Sequence, residues 1–324
     1  MARLLFFPLY VFASIVAGMA TVSAQTWPER PVRILVGYPP GGGTDLVARL
    51  MQQPLSTRWG QPVVIDNRPG ANAIIASEAV AKAKPDGYTL LMAYATEVAV
   101  NPATMKKLPY DPVRDFAPIS QLAGAPLVLA VHPALAAKDV RELVALAKAK
   151  PGTLSYSSSG SGSVHHFAGE LFKLQTGADI LHVPYKGSGP AAADAVAGQV
   201  QANFASVASV LRFVQAGRLR ALAVTSKRRS PQMPEVPSMV EAGLADFELT
   251  SWYGLLAPAG TPAEVIAKIH ADVMALLAVA EIQKSFATQG LDMAGSTPQA
   301  FGEFIRGEAA KFARIAKAGN IHAD

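Results

Sequence analysis

The stretch PVRILVGYPPGGGTDLVARL, residues 31–50, sets the reading of the whole chain. A short run rich in β-branched residues, VRILVGY (32–38), is broken by two prolines and three glycines and gives way to a helical pattern that opens at Thr44 and Asp45. Strand, glycine turn and helix in that order begin a βαβ unit, and the pattern continues. PVVIDN (62–67) and YTLLMAY (88–94) read as strands, with DLVARLMQQPLSTRWG (45–60) and IIASEAVAKAKPDG (74–87) as helices between them. A second series follows. Its strands are LVLAVHP (127–133), TLSYSSS (153–159), DILHVPY (179–185), VQANFAS (200–206) and LRALAVTS (219–226). Its helices are DVRELVALAKAK (139–150), HFAGELFKLQTG (166–177), AAADAVAG (191–198) and VLRFVQAG (210–217). The expected fold is α/β, with two doubly wound lobes and a cleft between them.

Two proline-rich segments read as connections between the halves: Lys107 to Gly124, with Pro109, Pro112 and Pro118, and Ser230 to Gly243. An apolar stretch, ELTSWYGLLAPAG (248–260), precedes a helix with Thr261 as N-cap, Pro262 at the first helical position and Glu264 completing a capping box. Another helix starts at Thr297 and Pro298 and sets Phe301, Phe304, Ile305, Phe312 and Ile315 on one face, so it docks on a core. These C-terminal helices are expected to return to the first half. The resulting division is 25–124 plus 250–324 for lobe 1 and 125–249 for lobe 2.

Half of the 324 residues are hydrophobic and only 16% are charged, which excludes a disordered chain. The absence of cysteine excludes disulfides, thiolate nucleophiles, iron–sulfur clusters and thiolate zinc sites. The net charge of +5 is scattered, with one tight cluster at Lys227, Arg228 and Arg229, and it lacks the density and interleaved aromatics of a nucleic-acid footprint. Met1 to Ala24 carries an early Arg3, the apolar run LLFFPLYVFASIVAGMA (4–20) and the small-residue exit Val22, Ser23, Ala24, the pattern of a secretory signal peptide cleaved after Ala24. A membrane anchor is the competing reading, which Pro8 and the small-residue exit disfavour. The later apolar stretch Val273 to Ala280 is too short to span a bilayer.

Four loops follow strands and precede helices: YPPGGGTD (38–45), AYATEVAVNP (93–102), SSSGSGSVHH (157–166) and PYKGSGP (184–190). Glycines let the backbone approach a ligand, and the amides and dipole at a helix N-terminus favour a carboxylate or phosphate. Gly41, Gly42, Gly43 and Thr44 fit that role, or a tight turn with an N-cap. Asp45, in the first helical turn, complements the dipole. Ser157, Ser158, Ser159, Ser161 and Ser163 are neutral donors, and His165 and His166 diverge by about 100° on a helix, so they do not share a metal readily. His166 is the one expected to cap or touch a ligand. No GxSxG elbow, Walker loop or HExxH motif occurs, and GSGPAA (187–192) is a poor dinucleotide fingerprint because of Pro190. No cofactor, metal or catalytic residue is expected.

The runs WPERPVRILVGYPPGGGTDLVARL (27–50), GQPVVIDNRPGANAIIASEAVAKAKPDGYTLLM (60–92), NPATMKKLPYDPVRDFAPI (101–119), HVPYKGSGPAAADAVAGQV (182–200) and LRALAVTSKRRSPQMPEVPSMVEAGL (219–244) closely resemble the Bordetella uptake gene (Bug) receptors, the periplasmic solute-binding proteins of tripartite tricarboxylate transporters. The likeness covers essentially all of the chain after the leader. It implies a two-lobed Venus-flytrap that closes on a small organic acid, held by backbone amides, hydroxyls and waters rather than an arginine clamp. It further implies delivery to membrane permease subunits, a periplasmic location and a monomeric receptor. A receptor informing a signalling partner, or a secreted hydrolase, are the rival readings.

Carried over by position, the resemblance implies first-lobe contacts from Tyr38, Gly41, Gly42, Gly43, Thr44, Asp45, Ala95, Thr96 and Glu97. Second-lobe contacts would come from Ser158, Ser159, Gly160, Ser163, His166, Tyr185, Gly187, Phe204, Ala205 and Ser206. Two residues depart from the family pattern. Glu97 stands where a small or hydroxyl residue is usual, and Ala205 where many members have Asp or Asn. Either Glu97 points away as a helix-start acid, or it meets a cationic, hydroxyl or amide group of the ligand.

Overall fold

The computed structural model describes residues 27–322. The expected leader and its cleavage after Ala24 lie outside the described residues. The strands are β1 (Val32–Val36), β2 (Val63–Asn67), β3 (Thr89–Tyr94), β4 (Phe116–Val131), β5 (Leu154–Ser158), β6 (Ile180–Pro184), β7 (Ala202–Ser206), β8 (Arg220–Val224), β9 (Thr250–Pro258) and β10 (Asp292–Met293). The helices are α1 (Gly43–Trp59), α2 (Ile74–Ala81), α3 (Asn101–Thr104), α4 (Val140–Ala149), α5 (Val164–Thr176), α6 (Ser188–Val196), α7 (Val207–Gln215), α8 (Ala263–Leu277), α9 (Ala280–Thr288) and α10 (Pro298–Gly319). A π-helical turn, Thr96–Val100, leads into α3.

Along the sheet the order is β2-β1-β3-β9-β4-β7-β5-β6. Each end is a parallel trio with its first strand in the middle: β1 between β2 and β3, and β5 between β6 and β7. These trios are the βαβ series legible in the sequence, and right-handed crossovers place their helices on the sheet faces. The fold is α/β with two lobes flanking a cleft, and the sheet is mixed rather than purely doubly wound, because β9 and β4 run antiparallel to their neighbours at its centre.

Strand β4 corrects the expectation for Lys107 to Gly124. Residues from Phe116 onward are strand, not connection, and the strand runs without a break into the expected strand at Leu127. Its first part pairs with β9 and β10, and Leu127 to Val131 pairs with β7 and β8. Pro118 is accommodated where the register with β9 shifts, between Pro118 and Ser120, so a proline that cannot donate to a ladder sits at a bulge.

The capping box expected at Thr261 does not form either. Helix α8 begins at Ala263 with Pro262 as N-cap, and the Thr261 hydroxyl donates instead to the Pro258 carbonyl at 2.8 Å. The second cap is as expected: Thr297 Oγ1 accepts the Ala300 amide at 3.2 Å. Helix α10 buries Phe301, Ile305, Phe312 and Ile315. Phe301 meets Trp252 of β9 edge-on at 5.7 Å, while Phe312 meets Phe167 of α5 at 4.8 Å. One helix therefore packs on elements of both lobes, and its residues share a continuous core with each.

Truncating a fully buried Phe removes its transfer energy and leaves a cavity. Phe312→Ala should therefore lower unfolding free energy by about 3–5 kcal/mol in a urea titration, against under about 1 kcal/mol for an exposed position such as Val113→Ala.

Candidate functional site

Chain entering or leaving the carboxyl ends of β1, β3, β5, β6 and β7 surrounds one cleft of about 760 Å³. Strand-to-helix turns project α1, α5, α6 and α7 so that their first residues reach its wall: Gly43 and Thr44, His165, Ser188, and Val207 to Ser209. Each of these termini presents amides that no helical carbonyl accepts, and the dipoles add positive potential where they meet. Among the described residues lining the cleft none carries a Lys, Arg, Asp or Glu side chain. The polar groups the lining offers are backbone amides, hydroxyls, the His165 imidazole and the Gln289 amide.

The turn before α1 is built by close approach. Gly41 adopts φ +88°, and a Cβ on Gly43 would land on the Tyr253 hydroxyl. Asp45 is nearly fully buried: one carboxylate oxygen accepts the Gly41 amide and the Arg49 guanidinium, each at 2.9 Å, and the other accepts Asn67 at 2.9 Å. Burial alone would raise this carboxyl, but the bonds from Arg49, the Gly41 amide and Asn67 outweigh it and hold it below the usual Asp range. Asp45 thus fixes the loop from behind and offsets the α1 dipole. Helix α7 differs. It follows β7 directly, no side chain caps it and no acid lies in its first turn, while Ser206 and Ser209 add hydroxyls to the wall.

The serine-rich loop is organised by its histidines. Ser163 caps α5, its Oγ accepting the His166 amide at 3.2 Å and donating to the Gly160 carbonyl at 2.7 Å. His165 lines the cleft with Nδ1 bonded to Ser159 Oγ at 2.7 Å and its buried Nε2 without a partner, and burial pushes its pKa down to about 4. It is a neutral imidazole. His166 turns inward instead: its Nδ1 accepts the Gly162 amide at 3.1 Å and its ring stacks on His182 at 3.8 Å. The Ser159–His165 pair has no acid to orient it, so it lacks the third member of a hydrolytic triad.

Of the residues named from sequence, Tyr38, Gly42, Gly43, Thr44, Ser159, Gly187 and Ser206 line the cleft. The others are not among its lining residues. Gly41 and Asp45 bond each other, Ala95 is core, Thr96 and Glu97 open the π-helical turn, and Ser158 bonds His182 Nε2 at 2.7 Å. Gly160 and Ser163 shape the cap, and the Tyr185 hydroxyl donates to Asp194 at 2.6 Å. Phe204 and Ala205 are buried on β7 within the core. Sequence reasoning passed over His165, the first turn of α7, and the two tyrosines that join Tyr38 in the wall. Tyr94 and Tyr253 pack with their rings tilted by 31° and centroids 5.4 Å apart, Tyr38 is edge-on to Tyr94 at 6.0 Å, and the Tyr94 hydroxyl meets Ser251 at 2.8 Å.

Glu97 faces neither solvent nor the cleft. It is fully buried beside Tyr38, its Oε2 accepts the Tyr94 amide at 3.1 Å, and Oε1 has no partner. Burial lifts its pKa to about 8, more than its own and the Tyr94 amide and the nearby Tyr38 hydroxyl pull it down.

The likeness to known proteins agrees with this arrangement of two lobes around a binding cleft, the architecture of a solute-binding receptor. Residues 47–321 match the family described as the tripartite tricarboxylate transporter family receptor, and the chain belongs to that family. It is 38% identical over 308 residues to protein BugT of Bordetella pertussis, covering 95% of this chain and 94% of that one. Among solved structures it resembles an R. palustris protein with adipate, at 35% identity and TM-score 0.79, over 91% of this chain and 99% of the other. It also resembles MatC of Rhodopseudomonas palustris with bound malate, at 30% identity and TM-score 0.74, over 89% and 99%.

The raised pKa of Glu97 has a stability consequence. The folded carboxyl keeps its proton up to about 8, whereas the unfolded one releases it near 4.5, so the folded state binds the extra proton between those values and loses stability as pH rises through them. Glu97→Gln removes that loss. The difference in unfolding free energy between Glu97→Gln and wild type should grow from pH 4.5 toward pH 8, by a few kcal/mol at most, and then level off. Denaturant titrations across that range check it, and a constant difference would show that Glu97 is not held protonated.

Proposed function

We propose that this chain is a periplasmic receptor that captures a small organic acid between its lobes and delivers it to the membrane permease subunits of a tripartite tricarboxylate-type transporter, itself performing no chemistry. The observation that carries the reading is the meeting of the α1 and α7 N-termini, from opposite lobes, in a cleft whose described lining has no charged side chain. Such a site holds a carboxylate by amides and hydroxyls, and closure of the lobes would strengthen those bonds by excluding water. Adipate and malate in the two solved relatives support a carboxylate as the ligand class. The moving bodies in this reading are 25–124 plus 250–324 and 125–249. No helix among the described residues is long and apolar enough to cross a membrane, which suits a receptor that meets its permease from outside the bilayer.

A ligand at about 100 times its dissociation constant adds roughly 2.7 kcal/mol to stability. Protein refolded from denaturant, to strip resident ligand, should show a melting shift of several degrees with one class of mono-, di- or tricarboxylate. Ser209→Asp should erase that shift while leaving the unliganded melting temperature within about 2 °C, because its carboxylate would occupy the anion position at α7. Full retention of the shift would remove α7 from the site, and no shift with any acid would overturn the receptor reading.

A further inference from the structure

The turn between α9 and β10 supplies part of the cleft wall, through Gln289, Gly290 and Leu291. It is built as a helix end: α9 stops at Thr288, Gly290 takes φ +77°, and the Gln289 and Gly290 amides turn back to the Phe286 and Ala287 carbonyls at 3.0 Å each. From behind, the turn is fastened to the first half of the molecule. Leu291 is buried in one core with Val47 and Met51 of α1 and Leu255 of β9, and Asp292 and Met293 pair with Gly124 and Ala123 of β4.

What the turn faces belongs to a different core. Gly290 is buried against the first turn of α7 and against Gln232: a Cβ on it would lie 3.2 Å from the Ala208 Cβ and 3.1 Å from the Gln232 amide group. The Gln232 side chain crosses to the turn, its Nε2 donating at 3.1 Å to the Ala287 carbonyl, which also accepts the Gly290 amide. Next to Gln232, Met233 is fully buried with Val207 and Val210 of α7. One side-chain amide therefore joins the α7 core to the helix end that walls the cleft.

We infer that Gln232 is a clasp between the two halves, a positioning residue that holds the Gln289–Leu291 turn against α7 from outside the cleft lining; its consequence for binding rests on the receptor reading above. Separating α7 from α9 must break this bond and part Gly290 from Ala208. The net worth of one such hydrogen bond corresponds to about threefold to tenfold in the ratio of closed to open forms. A ligand that needs both halves together is bound more tightly in proportion to the fraction already assembled. Gln232 is partly exposed, in a groove of about 610 Å³ that shares Leu291 with the cleft, and the Ala287 carbonyl keeps the Gly290 amide without it. Its replacement therefore leaves neither a core cavity nor an unpaired buried group.

The chain has no cysteine, so Val64→Cys and Leu181→Cys, at exposed positions on the edge strands β2 and β6, give a unique pair for spin labels. In this doubly labelled parent, refolded and ligand-free at pH 7, double electron–electron resonance should show one main distance. Gln232→Ala and the equal-sized Gln232→Glu, which has no N–H to donate, should each lower the ratio of that distance to all others about threefold to tenfold. Melting temperatures within about 2 °C of the parent show that the fold is kept. Calorimetric titration with adipate should show binding weakened by the same factor. Unmoved distances in both variants overturn the clasp, and so does a Gln232→Glu protein that behaves as the parent while Gln232→Ala does not. Moved distances with unchanged adipate affinity overturn its link to binding. The distances need no ligand, so failure of every acid in the wider carboxylate panel ends the receptor reading while the clasp is still judged on them.

Discussion

Everything in this molecule is hung on β4. It is 16 residues long and hydrogen-bonded to strands of both halves, β9 and β10 along its first part and β7 and β8 along its second. A strand shared this way fixes the two parallel trios in one sheet, and their carboxyl ends then open toward a common crevice. Helix α10 adds a second tie, through Phe301 to β9 and Phe312 to α5. Any movement of one half on the other would have to bend β4, which is continuous between them, and shift α10, whose Phe301 and Phe312 are fully buried.

That frame explains why the cleft can dispense with charged side chains. Each strand-to-helix turn delivers amides already held by the helix that follows, so the donors need no side-chain ordering when a ligand arrives. An arginine would add charge but would also be costly to desolvate in a closed cleft, and its long side chain would have to be fixed in place. The neutral His165, kept so by burial and bonded to Ser159, fits the same plan: it adds no net charge to the wall.

The parallel trios were legible because their strands are short, β-branched and punctuated by glycine, and the family resemblance was legible in whole motifs. Of the two central strands only the Leu127 to Val131 part of β4 was, for identifiable reasons. Pro118, Gly124 and Pro126 break the strand pattern of β4 in the sequence; Pro118 sits where the register with β9 shifts, while Gly124 and Pro126 pair in regular register. Within the site, the glycine-rich turn at Gly42 to Thr44 announced itself, whereas α7 did not, because Ser206 passes straight from strand to cap with no glycine to mark a loop. The sequence reading favoured His166 over His165 and began the helix at residue 166. The Ser163 cap starts the helix at Val164, and the roughly 100° between neighbouring residues sets His165 on the cleft and His166 against His182. No pattern in the sequence fixes such a phase, since it depends on a cap hydrogen bond.

Glu97 shows how a departure from a family pattern acquires meaning only in three dimensions. Read along the chain, an acid at a helix start beside an anion loop is either a dipole partner facing water or a contact for a cationic ligand. The structure offers a third arrangement, in which the carboxyl is packed into the core behind Tyr38 and Tyr94 and the missing hydration raises its pKa to about 8. A neutral carboxyl neither repels a bound carboxylate nor attracts an ammonium group, so near neutral pH the substitution alters the cleft chiefly through the tyrosines it supports. Its Oε2 holds the Tyr94 amide at the end of β3, and Tyr94 in turn packs against Tyr253, whose hydroxyl closes over Gly43. A buried proton behind the wall is therefore linked, through two rings and one glycine, to the shape of the loop that begins α1.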